Sequence, residues 1–164
     1  MKILIIQVEG SEKLVSGENV VINNDIKYLK KAGVDVNFEK IKISSQRWSF
    51  IISILGGLIW SFSKSRKVKL AIYKHNPDIV HFHTIVPYLS YSVIKAAHNS
   101  NVPVVQTLHN GRWLCLEGGY FRNGTFCNDC VGSFGWLGVR RSCSHGKMIS
   151  FLLFCNNFIV RRFG

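Results

Sequence analysis

Val102-Pro-Val-Val-Gln-Thr-Leu-His-Asn110 reads as a short buried strand that delivers a histidine, His109, onto a loop. Val104, Val105 and Leu108 supply the β-branched and apolar character that strands favour. Pro103 suits only the start of the strand, because it has no N–H to give to a ladder. Asn110-Gly111 then supplies a turn signal. In an open α/β sheet, ligands bind beyond the carboxyl ends of the strands, so a titratable side chain delivered there is a candidate for chemistry.

Working outward, Lys2 to Val8 reads as a first buried strand and Glu18 to Ala32 as a helix. Val21, Ile22, Ile26 and Leu29 make that helix's apolar stripe, and Gly33 stands where a helix is ended by a glycine. Val34 to Ile43 alternates as a second strand with a slip near Glu39. A basic helical stretch ends near His75, Asn76-Pro77 breaks it, and Asp78 to His83 reads as a third strand. Tyr88 to Ser100 and Lys147 to Arg162 read as helices. Strands alternating with helices predict an α/β fold with a doubly wound, mainly parallel sheet, followed by a Cys-containing irregular loop over about 111–146.

The length, 164 residues, predicts one domain with a sizeable core. A net charge of +12 favours an anionic partner such as a phosphorylated ligand, a nucleic acid or a membrane surface. The first apolar run is too short for a secretory signal, and Glu9 and Glu12 follow it, so a cytoplasmic location is expected. Five cysteines in a reducing compartment are then not expected to form structural disulfides. Trp48 to Phe62 is apolar but shorter than the ~20 residues that span a bilayer. It reads as a buried helix or, with Lys64, Arg66, Lys67 and Lys69 behind it, as an interfacial segment on an anionic leaflet.

The first strand–helix loop, Glu9 to Gly17, matches neither GxGxxG nor GxxxxGK[ST]. Gly17 stands where backbone N–H groups and a helix dipole can hold a phosphate, or where a glycine simply enters a helix. His81 and His83 face one side of the third strand. They read as hydrogen-bonded histidines or as a metal pair, with no carboxylate at ligand spacing. Cys115, Cys127, Cys130 and Cys143 follow the pattern C-x11-C-x2-C-x12-C in a segment without periodicity. Four thiolates suit a closed structural zinc site; reduced packed cysteines or a redox pair are the alternatives. Cys155, in the run Phe151 to Phe154, reads as core.

Four segments together resemble the N-terminal half of a family 4 glycosyltransferase, a retaining enzyme of GT-B fold: Met1 to Ile6, Gly17 to Asn24, Asn76 to His83 and Val102 to Asn110. Arg112-Trp-Leu-Cys115 and the later cysteines resemble a subgroup found in bacterial surface-polysaccharide clusters. The resemblance implies a Rossmann-like acceptor-side domain, here residues 1–164, and a second domain holding most of a nucleotide-sugar donor. It assigns His109 to the donor sugar near the reacting carbon and Gly17 to the donor diphosphate. Asn110, Arg112 and His83 fall on the acceptor side, with Arg112 suited to a phosphate of a polyprenyl-diphosphate-linked acceptor. It implies no catalytic metal, a glycan or lipid-linked acceptor, and a place at the inner membrane surface. Ser16 stands where the family often has a second glycine.

The family's paired donor-holding glutamates lie in a C-terminal domain and have no counterpart here. The chain is therefore expected to be half an enzyme, inactive alone, its donor side supplied by a missing domain or a subunit. The competing reading is a zinc-stapled basic module for nucleic acid or a membrane surface. Against nucleic acid, the basic residues are dispersed without one aromatic-interleaved stretch.

Overall fold

The computed structural model describes residues 1–9, 17–42, 60–83, 85, 89–133, 135–144 and 146–163. They fall into two compact units, Met1–His109 and Asn110–Gly164, where length alone predicts one domain. The first unit holds β1 (Lys2–Glu9), α1 (Gly17–Lys31), β2 (Asp35–Lys42), α2 (Phe62–His75), β3 (Ile79–His83), α3 (Tyr91–His98) and β4 (Val104–Thr107). Its strands form one parallel sheet in the order β2-β1-β3-β4. This is the expected α/β architecture. Most of the segment 48–62 lies outside the described residues, as do Ser16 and Ile43.

Alternation sorts the side chains of the sheet onto two covered faces. Ile3 and Ile5 of β1 pack with Ile22 of α1, and Ile26, Leu29, Val34, Val36, Phe38 and Ile79 close round them. Leu4, Ile6, Val80 and Phe82 are buried on the opposite face. Val68 and Ile72 of α2 and Val93, Ala96 and Ala97 of α3 are buried with them. Each fully buried large side chain contributes on the order of 2 kcal/mol. The slip in β2 has a simple cause. Val36 and Phe38 serve the α1 face, whereas Ile41 and Glu39 serve the other, where Glu39 Oε1 meets Lys74 Nζ and His75 Nε2 of α2, both at 2.8 Å. Hydrogen bonds from His75 first and then from Lys74 hold the Glu39 carboxyl below its usual range.

Helix ends follow their sequence signals. Gly33 has φ +78°; its N–H donates to the Lys30 carbonyl and that of Val34 to the Leu29 carbonyl, the paired bonds that close a helix on a left-handed residue. Ser61 caps α2 by accepting from the Lys64 N–H, and Asn76 ends it at φ 43°. The buried hydroxyls of Ser90 and Ser92, 2.6 Å apart, tie the start of α3 to the backbone of Ser61.

Three expectations need correction. β4 is the edge of the described sheet and is only partly covered: Val105 and Leu108 are exposed, because no described strand flanks them. Val21 is exposed, since it lies off the face that Ile22 and Ile26 turn to the sheet. The third helix spans Tyr91–His98, shorter at its C-terminal end than the expected Tyr88 to Ser100, and Tyr88 lies outside the described residues.

The second unit holds β5 (Phe121–Arg122), β6 (Thr125–Phe126), α4 (Trp136–Arg140) and α5 (Lys147–Phe163). The stretch over 111–146 is thus less irregular than its lack of periodicity suggests. β5 and β6 form a hairpin turned by Asn123 and Gly124, both at positive φ, as a two-residue hairpin turn requires. Trp136 of α4 meets the ring of Phe154 of α5 edge-on, with 5.5 Å between centroids. Leu116 is buried against Gly135 and Gly138, where an added Cβ would stand 3.0 Å from its side chain and press it aside by a few tenths of an ångström. Cys155, expected in the core, is half-buried on α5, and burial pushes its thiol pKa up.

Candidate active site

Parallel pairing sets His81 opposite Val105 and His83 opposite Thr107, so both histidines and Thr107 share the α1 face of the sheet. His81 Nε2 lies 2.8 Å from Thr107 Oγ1. His83 Nδ1 lies 2.9 Å from His109 Nε2, and the two rings stack at 5.1 Å. The strand-borne histidines are hydrogen-bonded to β4 and to the residue it delivers.

Asp25 joins this cluster from α1. Its Oδ2 stands 3.7 Å from His83 Nε2. The sequence reading missed it because it is distant from the histidines along the chain. Its signal was present all the same: Asp25 lies three residues from Ile22 and four from Leu29, inside the apolar stripe. Among the described residues, donor atoms of Asp25, His81 and His83 lie within 4.8 Å of one another, close enough to hold a metal ion.

Burial governs the charges here. His83 is wholly buried, and desolvation, then the neighbouring His81 and His109, lower its pKa to about 4. His81 shifts the same way, chiefly through burial. At neutral pH His83 is therefore uncharged, and its approach to Asp25 is not an ion pair. His83 Nε2 has no hydrogen-bond partner, since 3.7 Å is too long for a bond. The nearby carboxylate still favours the tautomer carrying its proton on Nε2, because a lone pair aimed at Asp25 would be repelled. His83 Nδ1 then accepts, His109 Nε2–H donates to it, and His109 Nδ1 keeps a free lone pair. His83 has no exposed surface, so it supports His109 and cannot itself touch an acceptor as expected.

Gly17 begins α1, and a Cβ placed there would meet nothing within 4 Å. The fold itself does not demand a glycine at that point. Two residues on, Asn19 Oδ1 accepts from Gln7 Nε2 at 2.6 Å, fixing the first turn of α1 to the end of β1. A pocket of about 420 Å³ opens on the α1 face, with Asp25, Tyr28, His81 and Val105 in its wall.

Asn110 and Arg112 belong to the second unit. Asn110 Oδ1 accepts from the Arg112 N–H at 3.1 Å, and Arg112 Nη1 donates to the Leu116 carbonyl at 3.0 Å. The buried Asn157 donates to the Arg112 carbonyl at 2.7 Å. In the same unit Cys115, Cys127, Cys130 and Cys143 line one cavity of about 230 Å³. All four are free thiols, and burial pushes that of Cys130 up.

A parallel sheet flanked by helices, with a histidine just past its carboxyl edge, is an α/β architecture of the kind whose ligands bind beyond the strands' carboxyl ends. The chain matches the model of Glycosyltransferase Family 4 over residues 15–123, more than half its length, and it belongs to that family. Membership implies a nucleotide-sugar donor and a glycan acceptor. No curated protein and no solved structure matches the chain. Among the described residues, no helix is long and apolar enough to cross a membrane.

Proposed function

We propose that this chain is the acceptor-side half of a retaining glycosyltransferase that builds surface polysaccharide on a glycan or polyprenyl-diphosphate-linked acceptor. The observation that carries this reading is the placement of His109, just past β4 and backed at 2.9 Å by the buried His83. The basic charge of +12 suits both the diphosphate of the donor and an anionic leaflet around a lipid-linked acceptor.

In this reading the free Nδ1 lone pair of His109 accepts a hydrogen bond from a donor-sugar hydroxyl near the reacting carbon. As the bond to the diphosphate lengthens, positive charge builds on the sugar and the hydroxyl becomes a stronger donor. The bond to His109 is therefore tighter in the transition state than in the ground state, which is what accelerates a reaction. The neutrality of His83 and His81 matters here, because two added cations would oppose that charge. Gly17 lets the donor diphosphate approach the N-terminus of α1. Asn110 and Arg112 serve the acceptor, Arg112 by pairing with phosphate. In this reading the donor is held by the paired glutamates of the second, donor-side domain that the resemblance implies.

The test offers UDP- and GDP-sugars with polyprenyl-diphosphate-linked saccharide to the protein as isolated from its own cell. Transfer with the donor's anomeric configuration kept in the product, read by the proton coupling of the new linkage, supports the reading. Inversion, or full turnover by His109→Ala, overturns it.

A further inference from the structure

We propose that the cysteine-lined cavity of the second unit is a structural zinc site, with Cys115, Cys127, Cys130 and Cys143 as its four ligands. These residues come from three stretches of chain: the turn after Gly111, the turn after β6, and the segment following α4. The fold nevertheless brings all four to the wall of one cavity of about 230 Å³. Four sulfurs and no histidine or carboxylate among the proposed ligands is the donor set that closes a tetrahedral zinc site.

The surroundings fit the charge of such a site. Zinc with four thiolates carries a net charge of −2, and Arg122 and Arg141 line the same cavity. Arg141 also pairs with Asp129, inside the Cys127–Cys130 turn, which anchors that turn. The backbone makes room as well: a Cβ on Gly138 would stand 3.3 Å from Cys130 Sγ. No three of the four sulfurs lie within 4.8 Å of one another, unlike the donor atoms of Asp25, His81 and His83. The thiols of Cys115, Cys143 and Cys127 nevertheless all act electrostatically on Cys130, and side-chain rotation would draw the four onto a common ion.

The second unit also needs such a staple. Its buried apolar side chains include Leu116, Val139 and Leu153, a small core for a compact unit of this length. Tyr120, Asn123 and Ser142 adopt positive φ, at 53°, 51° and 52°, a conformation that costs energy outside glycine. A redox role fits less well. Reactive Cys-x2-Cys pairs draw their acidity from a helix N-terminus, whereas Cys127-Asn-Asp-Cys130 lies in turns, ahead of α4 at Trp136.

The test purifies the whole chain, dialyses it against a weak chelator, and measures zinc by mass spectrometry alongside free thiols. The expected result is about one zinc per chain, released as an organomercurial titrates the thiols. Cobalt in its place should give the visible bands of a tetrahedral thiolate site. Cys130→Ser and Cys143→Ser should lose the metal, and Cys155→Ser should keep it. The cobalt spectrum needs no variant, so poor folding of a variant leaves the proposal testable. Wild-type chain without zinc, iron in place of zinc, or zinc kept by the cysteine variants but lost by His83→Gln would each overturn it.

Discussion

His83 Nδ1 and His109 Nε2 stand 2.9 Å apart, and on the far side of the His83 ring Asp25 Oδ2 stands 3.7 Å from Nε2. The carboxylate thus acts on His109 through a buried, neutral ring. Asp25→Asn should weaken the preference for the Nε2–H form of His83, because an amide can donate to that nitrogen. His109 would then carry its proton on Nδ1. Nitrogen-15 NMR of the histidine rings should show His109 protonated at Nε2 in the wild type and shifted toward Nδ1 in the variant. An unchanged His109 spectrum would remove Asp25 from any positioning role.

On the proposed reading, His109→Ala should cut the kcat of the glycosyltransferase reaction by about 10²–10³-fold, the usual cost of one charge-stabilising contact. Asp25→Asn should cut it less and leave KM for the acceptor nearly unmoved, because it acts only through His109. A loss confined to KM would place His109 in ground-state binding instead.

The buried histidines also make stability depend on pH. The pKa of His83 falls from an ordinary 6.5 to about 4, so between these values the unfolded chain holds a proton that the folded chain refuses. Stability is therefore complete above about pH 6.5 and is lost as the pH falls toward 4, by about 3 kcal/mol from this ring. His81, lowered by burial, adds in the same direction. Urea unfolding at intervals from pH 7 to 4 should show this slope, and His83→Gln should flatten it. An equal slope in the variant would assign the acid sensitivity to other groups.

The strand and helix signals of the first unit were legible because they are local. Period-two and period-3.6 patterns, Gly33 and Asn76-Pro77 all mark elements without reference to the rest of the chain. The exposure of Val105 was not legible, since whether a strand is central or at an edge is decided by its neighbours and not by its own residues. Asp25 escaped for a related reason: its meeting with His83 is a contact between elements far apart in sequence. The β5–β6 hairpin could have been read, because Asn123-Gly124 between Phe121-Arg122 and Thr125-Phe126 is a strong short-range turn signal.

Gly33 separates a structural glycine from one that serves a ligand. Its φ of +78° is the left-handed conformation, and a Cβ there would meet no atom within 4 Å. Gly33→Ala should then cost about 1–2 kcal/mol of stability, from backbone strain alone, with turnover unchanged. Gly17 has equal room but no positive φ, so Gly17→Ala should leave the melting temperature unmoved. If Gly17 admits the donor diphosphate, the same change should raise KM for the sugar nucleotide. Equal stability losses at both positions would contradict the distinction.

Asn157 tests the second unit independently of any metal. Its side chain is buried, and Nδ2 donates to the Arg112 carbonyl at 2.7 Å, holding the turn after Gly111 to α5. Asn157→Ala deletes the donor and leaves that carbonyl to find another partner, an expected cost of about 1–3 kcal/mol. Asn157→Asp keeps the shape but replaces the N–H with an oxygen, so it should cost more, through repulsion between the carboxylate and the carbonyl. The order wild type, Ala, Asp in decreasing melting temperature checks the assignment. An Asp variant as stable as the wild type would mean that the Asn157 side chain does not donate to Arg112.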